Sequence, residues 1–252
     1  MRRLGKRKEI ICQCAVLAAI GFVLFLMIWW PATRPIIRDG VGFRTGFNLK
    51  QIGLGFHDYH QDHGCFPMAA IFDKEGKPLL SWRVALLPYL EEGGELYSQF
   101  HLDEPWDSSH NLPLLARIPH VYLRADGTPP HEPYGTYYQV LVGQGAAFED
   151  RLKITFRSFT DGTSQTILII ESEEPVPWTK PQDLQFFPDQ PLPKLAGHSE
   201  KGFTHSLYAD GSVRRLPNTI DQDILRALNT RNGGEKLAED KNGNWYIPSQ
   251  SN

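Results

Sequence analysis

His57, His60 and His63 recur at three-residue steps, and imidazoles so spaced on a helix could face one another and hold a transition metal. Successive steps of three drift around the axis, and no His-Glu-x-x-His arrangement accompanies them, so a polar helix edge is the better reading. Asp161, Glu171, His198 and Asp210 form a second set, rich in the oxygen ligands that calcium takes in extracytoplasmic loops. The string there is Asp161-Gly162-Thr163-Ser164 rather than an Asp-x-Asp-x-Asp ladder, and Asp-Gly already has a use in turns. Ser164, His198 and Asp210 include the residue types of a nucleophile, base and orienter. No Gly-x-Ser-x-Gly elbow or phosphate-binding glycine loop supports that chemistry, and Ser164 reads as a turn residue. Trp82, Trp106 and Trp178 offer ring faces that could stack on a sugar, although packing is the commoner use of tryptophan. The expectation is a protein without catalysis or an obligatory cofactor, with calcium as the cofactor to consider.

The elements that must carry these residues can be read from periodicity. Leu49, Ile52, Phe56 and Tyr59 recur at helical spacing, which predicts an amphipathic helix from Asn48 to about His63, ended by Gly64. Trp82, Val84, Leu86, Leu87, Tyr89, Leu90, Leu96 and Tyr97 supply apolar bulk to a second helical stretch, Ser81–Phe100, which Pro88 should split into two short helices. Tyr137–Val142, Thr166–Glu171 and Phe203–Ala209 are rich in aromatic and β-branched residues and read as strands. Asp210-Gly211 should close a two-residue hairpin turn to Ser212–Leu216. Thr219–Leu228 reads as a short helix, Pro175–Pro193 as a long extended surface loop, and the tail from Glu235 as polar and partly disordered.

The start of the chain predicts where the molecule sits. Ile10–Trp30 is apolar apart from Gln13 and follows Arg2, Arg3, Lys6, Arg7 and Lys8. A run of that length suits a transmembrane helix, and the basic flank belongs on the cytoplasmic side. Its length, and Trp29-Trp30-Pro31 where a cleavage site would stand, favour a retained anchor over a removed signal. The remainder is then extracytoplasmic, at the inner membrane of the cell, with the lipid bilayer as its first partner. Cys12 and Cys14 fall inside the run and Cys65 stands alone outside it, so no disulfide framework forms within the monomer. The formal net charge of −3, with basic residues scattered beyond the start, gives no reason to expect nucleic acid as a partner.

Several strings together resemble one family. They are Asn48-Leu49-Lys50-Gln51-Ile52-Gly53, His57-Asp58-Tyr59-His60, Phe66-Pro67, Ser81-Trp82-Arg83-Val84 and Leu87-Pro88-Tyr89-Leu90-Glu91. Further along come Trp106-Asp107-Ser108, Asp161-Gly162-Thr163-Ser164 with Glu171, Pro177-Trp178-Thr179-Lys180 and Ala209-Asp210-Gly211-Ser212-Val213. The chain is similar to the DUF1559 proteins of planctomycete-type bacteria, which are pilin- or pseudopilin-like and lack a settled biochemical function. The resemblance covers roughly Asn48–Gly234 and implies a pilin-like head; by analogy with secretion pseudopilins it also lends the calcium reading some weight. Two departures stand out. Gly5 is followed by Lys6-Arg7-Lys8-Glu9 instead of the apolar prepilin signal, which speaks against prepilin processing and fibre assembly. Arg44–Phe47 and Tyr122-Leu123-Arg124 also lack the cysteines that many relatives carry there, so a linking disulfide is dispensed with.

The resulting expectation is an α+β protein. It has a basic flank at 1–9, a transmembrane helix at 10–30, a linker at 31–47, an ectodomain at 48–234 with an amphipathic helix and a mainly antiparallel sheet, and a polar tail at 235–252. Its expected role is a structural or assembly component of the envelope, self-associating or binding other envelope proteins. The alternative is an anchored module that binds a glycan or an envelope protein.

Overall fold

The structure, a computed structural model, describes residues 43–91, 93–124, 130–149, 151–193, 202–241 and 243–248. The apolar run Ile10–Trp30, Cys12, Cys14 and His198 lie outside the described residues. Among the described residues no helix is long and apolar enough to cross a membrane.

Residues 43–63 form a helix, α1, whose buried stripe is Thr45, Leu49, Ile52 and Phe56. Helix therefore already occupies residues 43–47, which the sequence pattern assigned to the linker. Thr45 lies one turn before Leu49 and continues the stripe as a polar residue, so hydrophobic periodicity does not register it. The end is as expected: Gly64 adopts φ +69°, and its N–H donates to the His60 carbonyl at 2.8 Å.

Strands β1 (Ala70–Phe72) and β2 (Pro78–Ser81) form an antiparallel pair. Ser81 then caps α2 (Trp82–Ala85), its side chain accepting from the Arg83 N–H. Three short helical pieces follow one another here rather than two: α2, a 3₁₀ turn Leu87–Tyr89 and α3 (Gly94–Tyr97). Pro88 sits in the first turn of the 3₁₀ piece, where a missing N–H leaves nothing unpaired.

The second half supplies β3 (Gly135–Gln139), β4 (Leu141–Val142), β5 (Ile167–Pro177), β6 (Leu184–Gln185), β7 (Phe203–Tyr208) and β8 (Val213–Pro217). The main sheet has the order β3-β5-β7-β8 and is antiparallel throughout, while β4 and β6 form a small parallel pair. Helix α4 (Gln222–Asn229) begins at Asp221, whose carboxylate accepts from the Asp223 and Ile224 N–H groups. Finally β9 (Ala238–Glu239) and β10 (Trp245–Tyr246) pair antiparallel.

The sheet is covered on both faces, which explains the unbroken run Ile167-Leu168-Ile169-Ile170 in β5. Leu168, Ile169 and Leu207 join a core with Leu49, Ile52 and Phe56 of α1. Ile167, Ile170 and Tyr208 join a second core with Leu225 and Leu228 of α4 and Leu237 of the tail.

Two expectations are corrected. The β7–β8 connection is a three-residue loop, Ala209–Gly211: the Gly211 N–H bonds to the Tyr208 carbonyl at 2.9 Å, the Tyr208 N–H to the Ser212 carbonyl at 2.9 Å, and Gly211 has φ +78°. Asp-Gly is used here in a turn with a bulge instead of a two-residue turn. The segment 175–193 is only partly a surface loop, because it completes β5, adds β6, and buries Trp178, Thr179 and Phe186. In the tail, the described residues include the β9–β10 pair, and Trp245 stacks on Tyr208 at 6.3 Å.

Candidate functional site

The motif strings act first as clamps between distant elements. Lys50 Nζ donates to the Gly211 carbonyl at 2.8 Å, and His57 Nε2 lies 2.9 Å from the Ala209 carbonyl, which requires the proton on Nε2. The Asn-Leu-Lys string of α1 is thereby tied to the Ala-Asp-Gly loop of the β7–β8 hairpin. Gly53 permits the approach, since a Cβ there would meet Leu207 Cδ1 at 2.8 Å.

Ser81-Trp82-Arg83 builds the buried centre. Arg83 is fully buried, and its guanidinium pairs with Asp183 at 2.8 Å while Nη2 and Nε donate to the Tyr138 carbonyl at 2.7 and 3.2 Å. Asp183 also accepts from the Val140 N–H at 3.0 Å and Trp82 Nε1 at 3.3 Å. Burial pushes its carboxyl up from the ordinary range, and Arg83 and these donors pull it back.

The residues singled out for chemistry do not converge. His57 is held by the hairpin, and His60 packs against Phe66 and Phe156 at 5.2 and 4.4 Å with its Nε2 buried and unpartnered. Burial, and then the neighbouring His57, hold the His60 imidazole below its ordinary pKa. His63 is exposed and stacks on Tyr59 at 4.0 Å. Among the described residues no group of three or more His, Cys, Asp or Glu could hold a metal.

Asp161 accepts from the Gly233 and Gly234 N–H groups at 2.6 and 3.0 Å, Glu171 from the His205 N–H at 3.3 Å, and Asp210 from the Ser212 N–H at 2.8 Å. The carboxylates are engaged separately, Asp161 by the 233–234 loop, Glu171 by the neighbouring strand β7 and Asp210 by its own hairpin, and His198 lies outside the described residues. Ser164 sits in the 3₁₀ turn Thr163–Gln165, and the Asp210 carboxylate is turned to its own hairpin.

Two of the three tryptophans lie in the core. Trp82 and Trp178 are fully buried, and Trp178 Nε1 donates to the Leu115 carbonyl at 2.9 Å, so neither presents a ring face to a ligand. Trp106 is half-buried, with Lys180 Nζ 5.5 Å from its ring centroid.

The described surface instead carries a cleft of about 670 Å³ lined by Tyr59 and His63 of α1, Ala70–Phe72 of β1, Tyr89, and Tyr97 of α3. The Tyr59 and Tyr89 rings stand 5.7 Å apart at 67°, making two walls of a corner. Tyr89 Oη donates to Asp62 Oδ2 at 3.0 Å. Burial pushes the Tyr59 and Tyr97 phenols up, and burial followed by the Asp62 bond takes Tyr89 up to about 12, so all remain neutral at physiological pH. A second cleft of about 450 Å³ shares Pro88 and Tyr89 with the first and is lined by Asp58, Asp62 and Glu91. The sequence pattern treats Tyr59, Tyr89 and Tyr97 as apolar bulk at helical spacing. Tyr59 stands between Asp58 and Asp62, Tyr89 near Glu91 and Tyr97 near Glu95, and this acidic flanking in sequence is the signal that could have separated them from core residues.

Fold and site together define an α+β domain with a helix laid on an antiparallel sheet and an aromatic cleft beside that helix. Residues 47–121 match the model of a family described as a protein of unknown function, DUF1559, and the resemblance read from the motifs holds over this region. The matched region includes Tyr59, Tyr89 and Tyr97 of the cleft. No curated protein and no solved structure matches the chain.

Proposed function

We propose that the chain is a membrane-anchored envelope protein with a pilin-like head, a structural or assembly component of pseudopilin kind that performs no catalysis. In this reading Ile10–Trp30 is a permanent tether in the inner membrane, the basic start is cytoplasmic, and the head stands outside. The observation that carries the reading is the two-sidedness of α1. One face packs on the sheet through Leu49, Ile52 and Phe56, while Phe47 and Leu54, seven residues apart and so on a common face, are 55% and 51% exposed. A helix that assembles with a second copy needs such an outer apolar stripe.

The test is a photo-crosslinkable residue at position 54 of the full chain in native membranes, compared with one at exposed Glu75. A ladder of self-adducts from position 54 and none from position 75 is the expected result. Monomer alone from position 54 would sink the assembly role. A second reading, an anchored binding module, is favoured by the tyrosine cleft rather than by the tryptophans first considered for it.

A further inference from the structure

The cleft has the form of a partial aromatic cage. Its Tyr59 and Tyr89 rings meet at 67° with centroids 5.7 Å apart, and Tyr97 lines the same space. A flat sugar stacks best on an open platform, whereas His63 covers one face of Tyr59 at 4.0 Å and the two tyrosine rings stand at an angle, which leaves the Tyr89 ring and the side of Tyr59 away from His63 to attract a cation. The charges lining the cleft itself balance, Asp73 against Arg151, and the acidic excess lies at its rim and in the adjoining cleft. Asp62 bonds the Tyr89 hydroxyl at 3.0 Å, Asp73 lines the cleft itself, and Asp58 and Glu91 line the adjoining cleft across Pro88 and Tyr89. Arg151 also lines the cleft, and its guanidinium lies over Gly76 in the β1–β2 turn. Apolar Ala70, Ile71 and Leu102 complete the lining, which suits methyl or methylene groups around a charge. The volume of about 670 Å³ leaves ample room for a trimethylammonium head.

We propose that the cleft between Tyr59, Tyr89 and Tyr97 is a binding site for an alkylammonium cation. The cation enters against the tyrosine corner, and Asp62 both orients the Tyr89 ring through its hydroxyl and supplies negative charge at the rim. The proposal does not depend on self-assembly of the chain, because it rests on the cleft and not on the Phe47–Leu54 face. The same chemistry is offered by a free small amine and by a lysine-type side chain of a polypeptide.

The test is calorimetric titration of the full chain with choline and with its uncharged isostere 3,3-dimethylbutan-1-ol. Choline is expected to bind about tenfold more tightly than the isostere, because only the charge differs. Tyr89→Ala and exposed Asp62→Asn should each weaken choline by about three- to tenfold, while Tyr89→Phe keeps most of the affinity. Circular dichroism of each variant establishes that the fold is intact, and Asp62→Asn carries the test if Tyr89→Ala does not fold. Equal affinity for the two probes, no choline binding by the folded chain, or choline binding indifferent to Asp62→Asn would overturn the proposal. A trimethyllysine peptide that binds more tightly than choline identifies a polypeptide as the source of the cation. A peptide that binds no better identifies a free amine, and both results uphold the site.

Discussion

Arg83 spends its donors inside the protein, on Asp183, the Tyr138 carbonyl and the Ser81 hydroxyl, and it lies 4.6 Å from the Trp82 ring centroid. Its own carbonyl accepts from the Tyr122 hydroxyl at 3.0 Å. One residue thus joins α2 to β3, to the segment before β6 and to the Tyr122 turn. Removing one partner of such a buried pair strands the other charge away from water, which costs about 3–5 kcal/mol, whereas replacing both with apolar groups costs less. Asp183→Asn is therefore expected to lose about 3–5 kcal/mol in urea unfolding, and the double change Arg83→Met with Asp183→Leu to lose less than either single change. A loss below about 1 kcal/mol for Asp183→Asn would mean that burial has already neutralised the carboxyl and that Arg83 is satisfied by carbonyls alone.

At the scale of elements, two glycines make opposite predictions. A Cβ on Gly143 would collide with the Phe186 carbonyl oxygen, backbone against backbone, just where β4 and β6 run side by side. Gly143→Ala must part those strands and should cost about 1–3 kcal/mol. Gly46 lies inside α1 with nothing within 4 Å of an added Cβ, so Gly46→Ala should stabilise by about 0.5–1 kcal/mol. Thermal melts of the two variants against the parent check both signs.

Elements with a long repeating face were legible in the sequence: α1 from its apolar stripe, β5 and β7 from their aromatic and β-branched runs. The segment 175–193 was not, because Asp183 reads as a loop residue until Arg83, distant in sequence, is brought beside it. Nor was the β9–β10 pair, whose two-residue strands are too short to show a period. The tyrosine cleft was hidden for a related reason. Each tyrosine fits its own helical pattern, and the cleft exists only where α1, β1 and the turn after α2 come together.

Phenols that stay protonated run through the whole described fold. Tyr122 and Tyr138 are fully buried, and burial drives their pKa values well above the ordinary value. Burial takes Tyr208, under Trp245 and Arg214, and Tyr89, in the cleft, up to about 12, and it raises Tyr59 and Tyr97. These tyrosines lie in both cores and in the cleft wall, so their titration reports on the entire described fold. An unfolded chain releases these protons near pH 10 whereas the fold holds them to higher pH, so the unfolded state is the one favoured by alkali. The stability they contribute is complete below about pH 10 and is lost as pH rises through the folded values, about 12 for Tyr89 and Tyr208. Tyrosinate absorbance and far-ultraviolet circular dichroism, followed together against pH, should show the buried phenols ionising in step with cooperative loss of structure. Full ionisation near pH 10 with the dichroism unchanged would show that the cores admit water to these hydroxyls, contrary to the packing of α1 and α4 on the two faces of the sheet.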